Sequence, residues 1–192
     1  MANGTMATPT VLTDPGFLYW APLASSLPTN TVAGSVFTDT WPVAWLALGM
    51  TEAGSTITYG ITVEPIEAAE TFDPLSYRTT GRTASLEFQL KNFTATNLGR
   101  ALNTAPTVVS GTGATQLNKI SPPNPGSEVR AMLGWESLDS TVRFVGYQFI
   151  NSGDLAIALQ KAPATGNIPF TANFEKTSNP PVDFWTAGST RG

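Results

Sequence analysis

Polar and hydrophobic residues alternate most cleanly along "SLEFQLK", Ser85 to Lys91. Leu86, Phe88 and Leu90 point one way, and Ser85, Glu87, Gln89 and Lys91 the other, which predicts a half-buried strand with one face in water. At Thr94 the period changes from two to that of a helix. Thr94 can cap a helix over 94–103 whose Ala95, Leu98, Ala101 and Leu102 share one stripe, with Phe93 placed as a staple and Asn103 at the C-terminal end. A helix in that place can fold back over the apolar face of the strand.

Around this junction the pattern is one of strands and turns. Residues 1–40 read as an N-terminal arm and strap. "GFLYWAPLASSLPTN" (Gly16 to Asn30) is broken by Pro22 and Pro28, and Phe17, Tyr19 and Trp20 are its expected buried anchors. From Asp39 to Ile66, residues 43–48 are apolar on both faces, as in a doubly covered strand. "TEAG" (Thr51 to Gly54) then supplies a turn, and Ile57, Tyr59, Ile61 and Val63 mark a returning strand. Pro65 to Gly81 reads as a long loop in which Glu64, Glu67, Glu70 and Asp73 recur every three residues. The alternating Asp/Asn spacing and central Gly of a calcium loop are missing, so no metal is expected. An acidic loop reaching a basic neighbour is the functional expectation.

Downstream, residues 105–126 predict a short strand and a surface loop. Strands over 129–137, 141–150 and 155–160, joined by "LDS" and "NSG", and a further strand in "IPFTANFEK" (Ile168 to Lys176) complete the pattern. Residues 177–192 form a second arm carrying Phe184 and Trp185. The reading is a mainly β fold: one domain over 1–192, an antiparallel β-sandwich or barrel core at 41–176, one flanking α-helix, and extended N- and C-terminal arms.

Composition adds that much of the surface is unusually uncharged. Only 12% of the 192 residues are charged, against about 25% in a typical soluble domain, so part of the surface is expected to meet other subunits. The net charge of −4 disfavours a generally basic nucleic-acid binder. Its distribution is polar: seven acids and no Lys or Arg precede Arg78, and ten bases and seven acids follow from there. Such polarity suits a head-to-tail contact between copies.

Catalytic chemistry finds little footing. The chain has no Cys and no His, which removes thiolate and imidazole chemistry and the commonest metal ligands. No G-x-S-x-G elbow, S-x-x-K pair, P-loop or metal motif is present, and the expectation is that the protein is not an enzyme and uses no cofactor. Arg78, Arg82, Lys91 and Arg100 form the one basic neighbourhood, without interleaved aromatics for stacking bases. No basic and apolar leader is visible in Met1 to Pro15, and no apolar run reaches membrane-spanning length. Synthesis in the cytoplasm, with no membrane partner, is expected.

Three stretches resemble the major tail proteins, the tail tube subunits of long-tailed, non-contractile bacteriophages (siphovirus type). "GFLYWAPLASSLPTN" resembles the N-terminal strap of that family, with Ser25 and Ser26 in place of the usual Gly-Thr. "WPVAWLALGMTEAGSTITYG" resembles its following strand, Leu-Gly, turn and strand, and "YRTTGRTASLEFQLKNFTATNLGRALN" its central strand-and-helix block. The likeness is best over Gly16 to Asn103; later strands agree in order without a motif. The resemblance implies rings of six copies stacked into a hollow tube, a conduit for genome ejection. Implied partners are the protein itself and the tape measure, terminator and distal tail proteins, with DNA passing unbound through the virion's tail. On that reading Thr83, Ser85, Glu87, Gln89 and Lys91 face or flank the lumen, and Glu64, Glu67, Glu70, Asp73 and Arg78 bridge subunits. The alternatives are a carbohydrate-binding or adhesion module, a tail terminator and a capsid decoration protein.

Overall fold

The computed structural model describes residues 16–67, 73–157 and 166–188. In chain order its strands are β1 (Gly16–Pro22), β2 (Val32–Ala33), β3 (Val36–Phe37), β4 (Leu46–Ala47), β5 (Thr51–Ile66) and β6 (Ser76–Leu90). Helix α1 (Ala95–Ala101) follows, then β7 (Thr107–Ser110), β8 (Leu117–Lys119), β9 (Ala131–Ser137), β10 (Val142–Asn151), β11 (Ile168–Phe174) and β12 (Val182–Thr186). The fold is mainly β, antiparallel, with one helix among the described residues, in the class the sequence predicts.

Eight strands make one sheet in the order β4-β1-β9-β10-β11-β6-β5, with β12 also on β10. β10 meets β9 on one side; on the other it takes β12 along Val142–Gly146 and β11 along Phe149–Asn151. The main core lies on one face: Leu18, Leu133, Phe144, Phe149, Ile168, Phe170, Leu86, Phe88 and Leu90 pack together, joined by Ala101 of α1. These side chains come from near both ends of the strand order, so the sheet curls around them. On the opposite face, Ala21, Met132 and Val145 pack with Trp45 and Trp41 of the segment leading into β4. A Cβ at Gly134 would run into the Trp41 ring, so the absence of a side chain there lets the tryptophan lie on β9. At one end the curl is nearly closed, for Leu48 N donates to Leu18 O and Lys91 N to Met50 O, both at 2.9 Å.

Several elements depart from the sequence reading. The first part of the strap, Gly16–Pro22, is a strand, β1, paired along its length with β9; Pro22 ends it rather than preventing it. Residues 41–48 are not a doubly covered strand, because Pro42 forces a turn closed by Trp45 N on Pro42 O and only Leu46–Ala47 pair, with Val43 97% exposed. "TEAG" is no turn but an irregularity inside β5, where the register shifts between Thr51 and Ser55 and Gly54 takes φ +82°. Most of the supposed loop 65–81 that is described is ribbon, for β5 and β6 pair from Thr51↔Leu90 out to Ile66↔Ser76. Residues 155–157 carry no strand; the rest of the strand expected at 155–160 lies outside the described residues, as does most of the N-terminal arm. The C-terminal arm is partly a sheet member, β12.

The junction at Thr94 is as read: its hydroxyl accepts from Asn97 N at 3.1 Å, and Asn103 takes φ +51° just past the helix. The buried face of the helix is wider than read, however. Of the expected stripe, Ala101 is buried and Ala95, Leu98 and Leu102 are half-buried, but Asn97 and Gly99 are buried as well, and Phe93 is 52% exposed. Asn97 is buried because its Nδ2 donates to Leu48 O (3.2 Å) and Asn92 O (3.0 Å), tying the helix to the β4–β5 connection.

Candidate assembly surface

The β5–β6 pair is a ribbon that leaves the body. Its run of Thr, Ile, Val and Tyr suits a pleated surface, and sixteen residues of β5 span roughly 50 Å at about 3.3 Å each. Opposed residues share a face: Ile57 with Leu86, Tyr59 with Ala84, Ile61 with Arg82, then, past a register shift, Val63 with Thr79 and Pro65 with Tyr77. Leu86 and Ala84 are in the core, yet Ile61 is 55%, Val63 50% and Tyr77 66% exposed. One apolar face therefore runs out of the core into solvent.

The ribbon's edges are open too. β5 pairs only with β6, and β6 meets β11 only over Ser85–Leu90, leaving residues 76–84 of β6 with no second partner strand among the described residues. A two-stranded ribbon alone is marginal in water, and unpaired edges template pairing with another chain. Both are features of a surface open to another strand.

Behind the apolar face lies a polar one. Thr83, Ser85, Glu87 and Gln89 alternate with the core residues of β6, opposite Gly60, Thr58 and Thr56 of β5, and all are exposed or half-buried. Lys91 lies just beyond the strand and pairs at 2.6 Å with Glu52, so the cation on this line is already neutralised. Of the expected bridging residues, Glu64 and Arg78 are not in a loop. They face each other across the ribbon at 3.4 Å, both exposed. Glu67 and Asp73 are exposed at its tip, and Glu70 lies outside the described residues. The lopsided charge is partly answered within the chain, since Asp39, Glu52 and Glu64 pair with Arg143, Lys91 and Arg78.

The aromatic anchors divide. Trp20 is half-buried beneath the Arg100 guanidinium, 4.4 Å from its ring centre, and Tyr19 stacks on Trp41 at 4.5 Å. Burial, then the Glu136 charge, push the Tyr19 phenol up. Phe17 is not buried; it is 50% exposed, lying at the start of β1 on the face opposite Leu18. With Met50 and Leu138 it borders an apolar hollow at the closed end of the curl. Phe184 packs on Phe144 at 5.2 Å but stays 51% exposed, and Trp185 packs on the second core. Burial and the hydrogen bond that Tyr147 donates to Asp183 at 2.5 Å push that phenol up to about 12 and fasten β12 to β10.

One polar cluster escaped the sequence reading. Arg143, 1% exposed, bonds Asp39 Oδ1 at 2.7 Å, Asp39 O at 2.6 Å and Glu136 Oε2 at 3.1 Å, with the Phe37 ring 4.5 Å away. Trp41 Nε1 donates to the same Glu136 at 2.5 Å. The signal was a lone base inside the apolar run "VRFVGYQF"; Glu136 lies opposite it in the β9–β10 hairpin, but Asp39 lies far off in sequence. The cluster clamps the crossing segment onto the sheet, and its remaining valences are filled, so it offers no open site. Among the described residues, no group of three or more His, Cys, Asp or Glu side chains is placed to hold a metal ion. No protein-family model matches the chain, and no curated protein matches it.

Proposed function

We propose that the protein is a structural virion subunit: six copies close into a ring, and rings stack as the tail tube through which a phage genome is ejected. The ribbon carries this reading. It extends an apolar face and two open edges beyond the body of a single subunit, which is the form of an element made to be completed by a neighbour. Closing such ribbons around a ring would remove the edges and bury Ile61, Val63 and Tyr77. It would also turn the polar face of β6 toward a water-filled channel. That face holds Thr83, Ser85, Glu87 and Gln89, one acid and no base, and Lys91 is tied to Glu52; DNA could slide past without its phosphates being gripped. Synthesis in the host cytoplasm, residence in the virion tail and contacts with tape measure, terminator and distal tail proteins belong to the same proposal. A sugar-binding module is less well supported, since each of the five tryptophans is buried or half-buried.

Negative-stain electron microscopy of the purified protein over a concentration series, with light scattering on the same samples, tests the proposal. Hollow tubes or stacked six-fold rings are expected. A monomer at every concentration, including with tail-initiation proteins added, would overturn it.

A further inference from the structure

At the root of the ribbon lies a second feature that the exposed apolar face does not explain. Thr79, Gly81 and Arg82 of β6 form one wall of a groove of about 680 Å3, and Lys176, Pro180 and Pro181 of the β11–β12 connection form the other. The β6 wall is an open strand edge. Arg82 and Lys176 are both exposed, and neither has a carboxylate within ion-pair distance among the described residues. The groove is thus a cationic slot beside an unpaired edge, suited to an acidic extended segment.

The chain carries such a segment where its own groove cannot receive it. Glu64 and Arg78 offset each other on the ladder, so the acid that the end of the ribbon presents is Glu67, beside the exposed Ile66. Arg82 sits opposite Ile61, and the ladder continues to Ile66↔Ser76. Five further residues hold the tip roughly 17 Å from Arg82, beyond the screening length of about 8–10 Å in physiological salt. A paired ladder cannot fold back on itself. Complementary groups held apart in one copy can meet only between two, and a contact between different patches on identical copies is head-to-tail, closing as a ring or running on as a filament.

We propose that the ribbon tip of one copy seats in the groove of a second, with Glu67 against Arg82 and Lys176 and the tip's backbone along the open edge of β6. This contact rests on the self-assembly reading and gives it a polarity and a pair of addresses. Because the chain has no cysteine, single cysteines report on it directly. Copies carrying Glu67→Cys, mixed with copies carrying Arg82→Cys under oxidising conditions, should give a reducible dimer that depends on the mixture. The double variant Arg82→Glu/Lys176→Glu should need at least tenfold more protein to assemble, and adding Glu67→Lys should recover most of that loss, while circular dichroism shows each subunit folded. Wild type that assembles, with neither the cross-link nor the charge effect, would overturn this contact and leave the tube reading standing. Wild type that stays monomeric would overturn both.

Discussion

Arg143 shows how much one side chain can hold. Its guanidinium is buried against two carboxylates whose side chains are 13% and 10% exposed, and the Asp39 that it grips also accepts from Asn30 N and Thr31 N at 3.0 Å each. Removing the cation leaves two acids facing each other without water to spread their charge. Arg143→Met is therefore expected to cost roughly 3–5 kcal/mol, as for other broken buried pairs, read as a lower urea midpoint at unchanged slope. A loss under about 1 kcal/mol would mean that Trp41 and Trp45 hold the crossing segment alone. The same site sets part of the acid limit. Burial pushes the Asp39 carboxyl up, but the Arg143 hydrogen bond and charge and the backbone donors outweigh it and hold the group below its ordinary value. A depressed carboxylate contributes stability that is complete above the unfolded value near 4 and disappears as pH falls through the lower folded one. Asp139, held down by Ser137 and Thr141, and Glu175, held down by Gln148 and Arg130, shift the same way. Asp39→Asn should accordingly flatten the fall in stability below about pH 4 without abolishing it, as a series of urea titrations would show.

At the scale of elements, the exposed ladder separates folding from assembly. Ile61 and Val63 are half exposed in the single subunit, so replacing both with Thr, a residue equally at home in strands, should change subunit stability by no more than about 0.5 kcal/mol. The same pair should strongly reduce the yield of rings or tubes by light scattering; unchanged yield would count against the ribbon as the assembling element. This ribbon is also where the sequence was least legible. Pro65 and a scarcity of aliphatics past Val63 suggested a loop, yet β5 is an edge strand, where a proline's missing N–H need not find a partner. Gly54 suggested a turn because a positive-φ glycine serves a turn and a bulge equally well; only the partner strand distinguishes them. By contrast the Leu86, Phe88, Leu90 alternation and the Thr94 cap were readable, since both are local. The Arg143 cluster was not: Glu136 lies seven residues away across the β9–β10 hairpin, but Asp39, over a hundred positions off, shares no pattern with Arg143 until the sheet brings the two together.

For the whole molecule, the question that the proposed tube raises is which face of the curled sheet would line its channel. The core side of β6 is filled by Leu86, Phe88 and Leu90, leaving Thr83, Ser85, Glu87 and Gln89 as the side that can line water. Cations placed there would gather phosphate contacts by releasing counterions, and the affinity they create must fall steeply with salt. Glu87→Lys/Gln89→Lys changes two exposed positions and leaves the ribbon's apolar face untouched, so assembly should proceed. In a six-fold tube the substitutions would repeat in every subunit of every ring, and DNA introduced into the tube should be retained at low salt and released as salt is raised. Wild-type tubes should retain none at any salt concentration. Fluorescent DNA co-sedimented with assembled tubes across a salt series reads this out. Equal retention by both proteins would place this face away from the channel and assign the lumen to another part of the subunit.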